Sequence, residues 1–118
     1  MQSPLQISFR HMEHSEAIEA KVRERATKLE KFYQLITSCR VVIEPAHKHK
    51  HKGNLYQIRI DVNVPGKELV VTREPDEHHA HEDVYVSIRD AFDAMRRQLE
   101  DYSRIRRGKV KTHDSPTT

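Results

Sequence analysis

The chain has 118 residues, a formal charge of +3 and an isoelectric point near 9.1. That length predicts one domain with a modest core, and no stretch approaches the roughly 20 apolar residues that a membrane-spanning helix needs. Charged residues make up 33% of the chain, yet the apolar ones are periodic, which argues against disorder and for a small folded domain with a charged exterior.

Cys39 is the single cysteine, so no intrachain disulfide can form. With no apolar run of signal-peptide length at the N-terminus, the expected setting is soluble and cytoplasmic. The mild basicity permits a nucleic-acid partner without requiring one.

Leu5, Ile7 and Phe9 alternate with polar neighbours, the period of a half-buried first strand. Ser15 is a suitable N-cap, with Glu16 and Glu19 favourably placed in the first turn of the helix that follows. Ile18, Val22, Ala26, Leu29 and Tyr33 recur at helical spacing, so this helix is predicted from about Glu16 to Tyr33, with Phe32 beside the stripe. Cys39, Val41 and Ile43 mark a second strand that stops near Pro45, and AHKHKHKGN is a polar connection. The third strand is the clearest, with Tyr56, Ile58, Ile60, Val62 and Val64 on one side and Gln57, Arg59, Asp61 and Asn63 on the other. Pro65-Gly66 suits the centre of a type II turn, and Leu69, Val71 and Arg73 against Val70 and Thr72 form a fourth strand.

After EPDEHHAHE, Asp83 should cap a long helix reaching Arg104. Its apolar stripe is Tyr85, Ile88, Phe92, Met95, Leu99 and Tyr102, with Val84 and Ala91 at the edge. Residues 105–118 read as a polar, basic and disordered tail following a domain of residues 1–104. The order β-α-β-β-β-α predicts an α+β fold. Strands one and two should pair in parallel through the helical crossover, and the rest should be antiparallel. Both helical stripes need one apolar floor, so the expectation is a four-stranded mixed sheet with both helices on one face.

On the first helix Lys21, Arg25 and Lys28 fall within about 60° of one another by helical geometry. Glu16, Glu19, Glu24 and Glu30 lie farther around. Segregated cations suit a rod of phosphates, although a solvated helix with i,i+4 pairs such as Glu24–Lys28 would share the pattern. On the last helix Arg89 and Arg96 share one flank, Arg97 and Arg104 another, with Asp93 and Glu100 between. No exposed aromatic cluster resembles an RNA-stacking platform, so a nucleic acid would be bound by shape and phosphate.

Three histidine groups are expected to converge on one rim of the sheet: His11 and His14; His47, His49 and His51; His78, His79 and His81. The last six are candidate ligands for zinc, nickel or copper, although their spacing matches no established metal-site pattern. The same imidazoles could form a cationic patch as pH falls towards about 6, or simply be polar loops. No cofactor is expected. Nor is catalysis: there is no phosphate-cradling glycine loop, no isolated acid–base pair, and Cys39 reads as a small inward-facing residue.

The element order, the run TKLEKFYQLITSCRVVIE and the helix EDVYVSIRDAFDAMRRQLEDY resemble the family of ribosome hibernation-promoting factor and ribosome-associated inhibitor A, also called sigma-54 modulation proteins. The likeness covers nearly all of residues 4 to 104, with Asp83, Tyr85, Ile88 and Gln98-Leu99 among the matching positions. It implies a bacterial factor that docks in the small ribosomal subunit across the mRNA and tRNA channel, contacts 16S ribosomal RNA, and blocks translation in stationary phase or stress. Lys21, Arg25, Lys28 and Lys31 carry over best as RNA contacts, joined by Arg89, Arg96 and Arg97. Ala94, Glu100 and Asp101 depart from the lysines that family members often place there. The chain resembles the short form, so ribosome pairing would need a second hibernation factor. Two other readings stay open: a metal- or pH-responsive regulator using the histidine rim, and a protein-binding modulator using the exposed sheet face.

Overall fold

The computed structural model describes residues 4–46, 55–74 and 83–114. Its elements are β1 (Leu5–Phe9), α1 (Glu16–Phe32), β2 (Ser38–Pro45), β3 (Tyr56–Val64), β4 (Lys67–Arg73) and α2 (Val84–Asp114). The strands form one sheet in the order β1-β2-β3-β4, with β1 parallel to β2 and the other pairs antiparallel. The fold is the mixed four-stranded sheet with two helices that the sequence predicts.

Strand alternation sets the two faces. The register stacks Leu5, Cys39, Val62 and Leu69 in one row, then Ile7, Val41, Ile60 and Val71 in the next. From these rows Cys39, Val41, Ile60, Val62, Leu69 and Val71 are buried, and they share one core with Ile18, Val22, Ala26 and Leu29 of α1 and Ile88, Ala91, Phe92, Met95 and Leu99 of α2. Each fully buried Ile, Leu, Val or Met side chain contributes about 1.5–3 kcal/mol relative to exposure, so this shared core is the main source of stability.

The opposite rows, Gln6–Arg40–Asp61–Val70 and Ser8–Val42–Arg59–Thr72, face away from the helices. Asp61 is nevertheless buried. Arg59 Nε lies 3.0 Å from its Oδ1, and an Arg40 terminal nitrogen 3.6 Å from its Oδ2, so two long cations cover the carboxylate. Paired charges make such burial tolerable.

Side-chain caps and ties position the helices. Ser15 Oγ accepts from the Ile18 amide at 3.2 Å and starts α1. Asp83 Oδ1 accepts from the Tyr85 amide at 3.0 Å and starts α2. Farther on, Gln98 Nε2 donates to the Val70 carbonyl at 3.0 Å and the Tyr102 hydroxyl to the Pro65 carbonyl at 2.6 Å. These two bonds anchor α2 to β4 and to the turn before it.

Two sequence expectations about α2 are corrected. Tyr85 is 37% exposed and Ser87 is buried, so at the helix start the inward face lies towards Ser87. The helix also continues ten residues past Arg104, to Asp114. Nothing in IRRGKVK forbids helix, since Gly108 weakens it by only about 1 kcal/mol and there is no proline. The Arg106 guanidinium reaches Tyr102 Oη at 3.3 Å and Arg107 reaches Ser103 Oγ at 2.9 Å, i,i+4 contacts that extend the regular turns. The tail through Asp114 is therefore helix.

Candidate nucleic-acid interface

The direction of the strands decides how the two basic helices meet. β1 and β4 point the same way, because β1 is parallel to β2 and two antiparallel steps separate β2 from β4. Each helix returns against the strand before it, so α1 and α2 run side by side in one direction. The contacts between them advance together: the Arg96 guanidinium lies 4.5 Å from the Phe32 ring centroid, and the Tyr33 and Tyr102 rings meet edge to face at 6.1 Å. Two helical turns back from Phe32 and Arg96 are Arg25 and Arg89. The Lys21–Arg25–Lys28 stripe and the Arg89–Arg96 flank thus border the same seam.

Individual cations along that seam are not equivalent. Lys21 Nζ is 3.0 Å from Glu24 and Lys28 Nζ 3.8 Å from the same carboxylate. Glu24, at i+3 from one lysine and i−4 from the other, reaches both, so the Glu24–Lys28 pair offered by the sequence is joined by Lys21. The Lys21 hydrogen bond, then the Lys21 charge, hold the Glu24 carboxyl below the ordinary value of 4.5. Arg25 is half-buried and its Nε–H meets no acceptor among the described residues. A buried guanidinium N–H without an acceptor is costly. Lys31 is exposed in the last turn of α1.

On α2, Arg89 is drawn to Asp90 at 3.2 Å, and Asp90 also receives Arg73 of β4 at 3.2 Å. Arg96 lies 4.0 Å from Glu100 while its guanidinium covers Phe32. Arg97 is exposed. Arg104 pairs with Asp101, and Arg107 contacts the neutral Ser103 hydroxyl. The acids at Glu100 and Asp101 therefore spend their charge on neighbouring arginines. Phe32 is the residue that sequence reasoning missed: it is 39% exposed beneath a guanidinium. Its position off the buried stripe and in the last turn of α1 was the available signal.

The histidines resolve only in part. Phe9, Ile43, Ile58 and Arg73 share a row, so the ends of β1, β2 and β4 do lie at one rim. His14 is there, with Nε2 2.8 Å from Glu19 and its ring edge-on to Phe9 at 4.9 Å. His11 has a positive φ of 59°. His47, His49, His51, His78, His79 and His81 lie outside the described residues. Among the described residues no group of three His, Cys, Asp or Glu could hold a metal ion, and no helix is long and apolar enough to cross a membrane.

With this geometry in place, comparison with known proteins is decisive. The family model described as sigma 54 modulation protein / S30EA ribosomal protein matches residues 5–107. The chain belongs to this family. A ribosome hibernation promotion factor from Deinococcus radiodurans is 29% identical over 97 residues, covering 82% of the chain and 47% of that relative. The chain thus spans about half the length of the curated relative it matches. Two solved structures share the fold. A ribosomal subunit interface protein from Coxiella burnetii has a TM-score of 0.68 at 15% identity, covering 85% of this chain and 97% of that one. The N-terminal domain of Protein Y from Thermus thermophilus has a TM-score of 0.63 at 21% identity, covering 82% and 94%.

Proposed function

We propose that this member of the sigma 54 modulation family is a non-enzymatic, cytoplasmic ribosome hibernation factor. In this reading it binds 16S ribosomal RNA in the decoding channel of the small subunit and blocks translation under stress or in stationary phase. The observation that carries the reading is the shared seam: Lys21, Arg25 and Lys28 on α1 border it on one side and Arg89 and Arg96 on α2 on the other, with Lys31 and Arg97 as further exposed cations of the two helices. Arg25 Nε lacks an acceptor among the described residues. Two adjacent rows of cations on rigid helices suit phosphates held at fixed spacing, which positions a protein on folded RNA without reading its sequence.

Sucrose-gradient co-sedimentation at low salt tests it. The native chain should travel with small subunits or whole ribosomes, and migration at the top of the gradient would end the proposal. Reversing Lys21, Arg25 and Lys28 to Glu should weaken binding. It should also lower the slope of log affinity against log salt by roughly two to three, as expected when three phosphate contacts are lost.

A further inference from the structure

We propose that the Arg96 guanidinium, seated over Phe32 beside the groove where the end of α1 meets the second half of α2, is a stacking platform for one unpaired RNA base, whose flanking phosphate is held in that groove by Arg104 and Arg107. The proposal rests on the RNA-binding reading above and specifies the form of RNA that the seam takes at this end.

The groove encloses about 480 Å³ and is lined by Phe32, Tyr33, Leu99, Glu100, Ser103, Arg104 and Arg107. That volume falls within the range of small-ligand pockets, roughly 300–1,000 Å³. Phe32 belongs to this lining, and Arg96, which does not, covers its ring. Phe32 is an aromatic ring in the last turn of α1, well exposed, and the Arg96 guanidinium sits over it at 4.5 Å. Glu100, one turn later, lies 4.0 Å from Arg96 Nε and opposes its displacement. Arg96 is itself largely exposed, with 58% of its side chain open to solvent. A guanidinium that covers a ring with one face presents the other as a flat, cationic platform, and unpaired bases stack on such planes as they do on aromatic rings.

The charge around the platform favours an anionic occupant over a neutral or cationic one, and the flat guanidinium favours one that carries a planar ring. Arg96, Arg104 and Arg107 face two carboxylates, those of Glu100 and Asp101. Arg107 donates to a neutral hydroxyl and keeps its charge available. Bases inside an A-form duplex are stacked on one another and cannot enter, so the groove selects a loop, bulge or strand end.

Fluorescence anisotropy with the full chain tests this on three labelled probes. The first is a single RNA strand of roughly ten nucleotides, the second the same strand made abasic, and the third a duplex of equal length. The base-bearing strand should bind about fivefold or more tightly than the abasic one. Phe32→Leu, which keeps apolar volume and removes no charge, should erase that preference while changing duplex affinity by less than about twofold. Arg96→Lys, which keeps the charge and loses the flat guanidinium, should erase the preference as well. Equal affinity of the native chain for base-bearing and abasic strands overturns the site. So does a loss in Phe32→Leu that falls equally on the duplex. Ribosome co-sedimentation on the same preparations separates the two readings. Co-sedimentation without base preference removes the groove and leaves the ribosome; base preference without co-sedimentation does the reverse.

Discussion

Glu24 governs how much of the charge on α1 reaches a ligand. Lys21 and Lys28 both lean on its carboxylate. Because its acidity is held below 4.5, chiefly by Lys21, the contribution of these pairs is present above that value and fades as pH falls through the lowered one. Replacing Glu24 with Gln releases both lysines at neutral pH. RNA affinity should then rise about two- to fivefold at low salt and converge with the native value as salt increases, which anisotropy at two ionic strengths would reveal. Cys39 behaves in the opposite sense. Burial, reinforced by the negative charges of Asp61 and Glu30, pushes its thiol up to about 12. Thiol reagents at pH 8 should leave it unmodified in the native protein and label it in denaturant. Labelling of the native chain at the rate of a free thiol would contradict the packing described above.

At the scale of elements, the turn between β3 and β4 and the last turns of α2 depend on different physics. Gly66 has φ of +81°, and a Cβ placed there meets no atom within 4 Å. Gly66→Ala therefore tests backbone preference free of steric conflict. Urea unfolding should show a loss of about 1 kcal/mol, with RNA affinity unchanged. The register of β3 against β4 would keep the hairpin in place, since Val62–Leu69 and Ile60–Val71 are inward pairs of buried residues. Helix α2 is held by its stripe as far as Leu99 and by the Tyr102–Pro65 bond. Beyond that point Ile105 is 56% exposed, and residues 106–108 are exposed as well.

For the whole molecule, that difference divides the scaffold from the charged extension. A chain ending at Arg104 retains every α2 residue whose burial is described, and the helix's ties to β4 and the turn. Its melting temperature should stay within a few degrees of the native value, because exposed residues contribute little to stability. Loss of Arg106, Arg107, Lys109 and Lys111 should nevertheless lower the salt slope of RNA binding by roughly one to three. A large fall in melting temperature would show instead that the extension packs on the body. The open sheet face is a weaker candidate for partners. Asp61 is covered by Arg40 and Arg59, and Asn63 Nδ2 donates to Ser38 Oγ at 2.8 Å, so this surface satisfies much of its own polarity.

Element order, strand faces and both helical stripes were legible in the sequence because burial imposes periods of 2 and about 3.6 that survive without coordinates. Alternation in Tyr56–Val64 and the spacing of Ile88, Phe92, Met95 and Leu99 sufficed to predict one sheet beneath two helices. The cations were legible too, but not their relations. Whether Glu24 lies beside the stripe or within reach of it depends on side-chain length and rotamer. That Arg96 covers Phe32 depends on how α1 and α2 lie on the sheet, and these residues are 64 positions apart in the chain. The end of α2 was misplaced for a related reason: a polar run without proline carries no stop signal, and polarity alone does not distinguish a solvated helix from an irregular tail. Sequence determined which faces must be buried, since hydrophobic periodicity is a local property. Only the tertiary structure decided which charges meet, because strand direction sets the helices side by side and contacts across that seam leave no period in the chain.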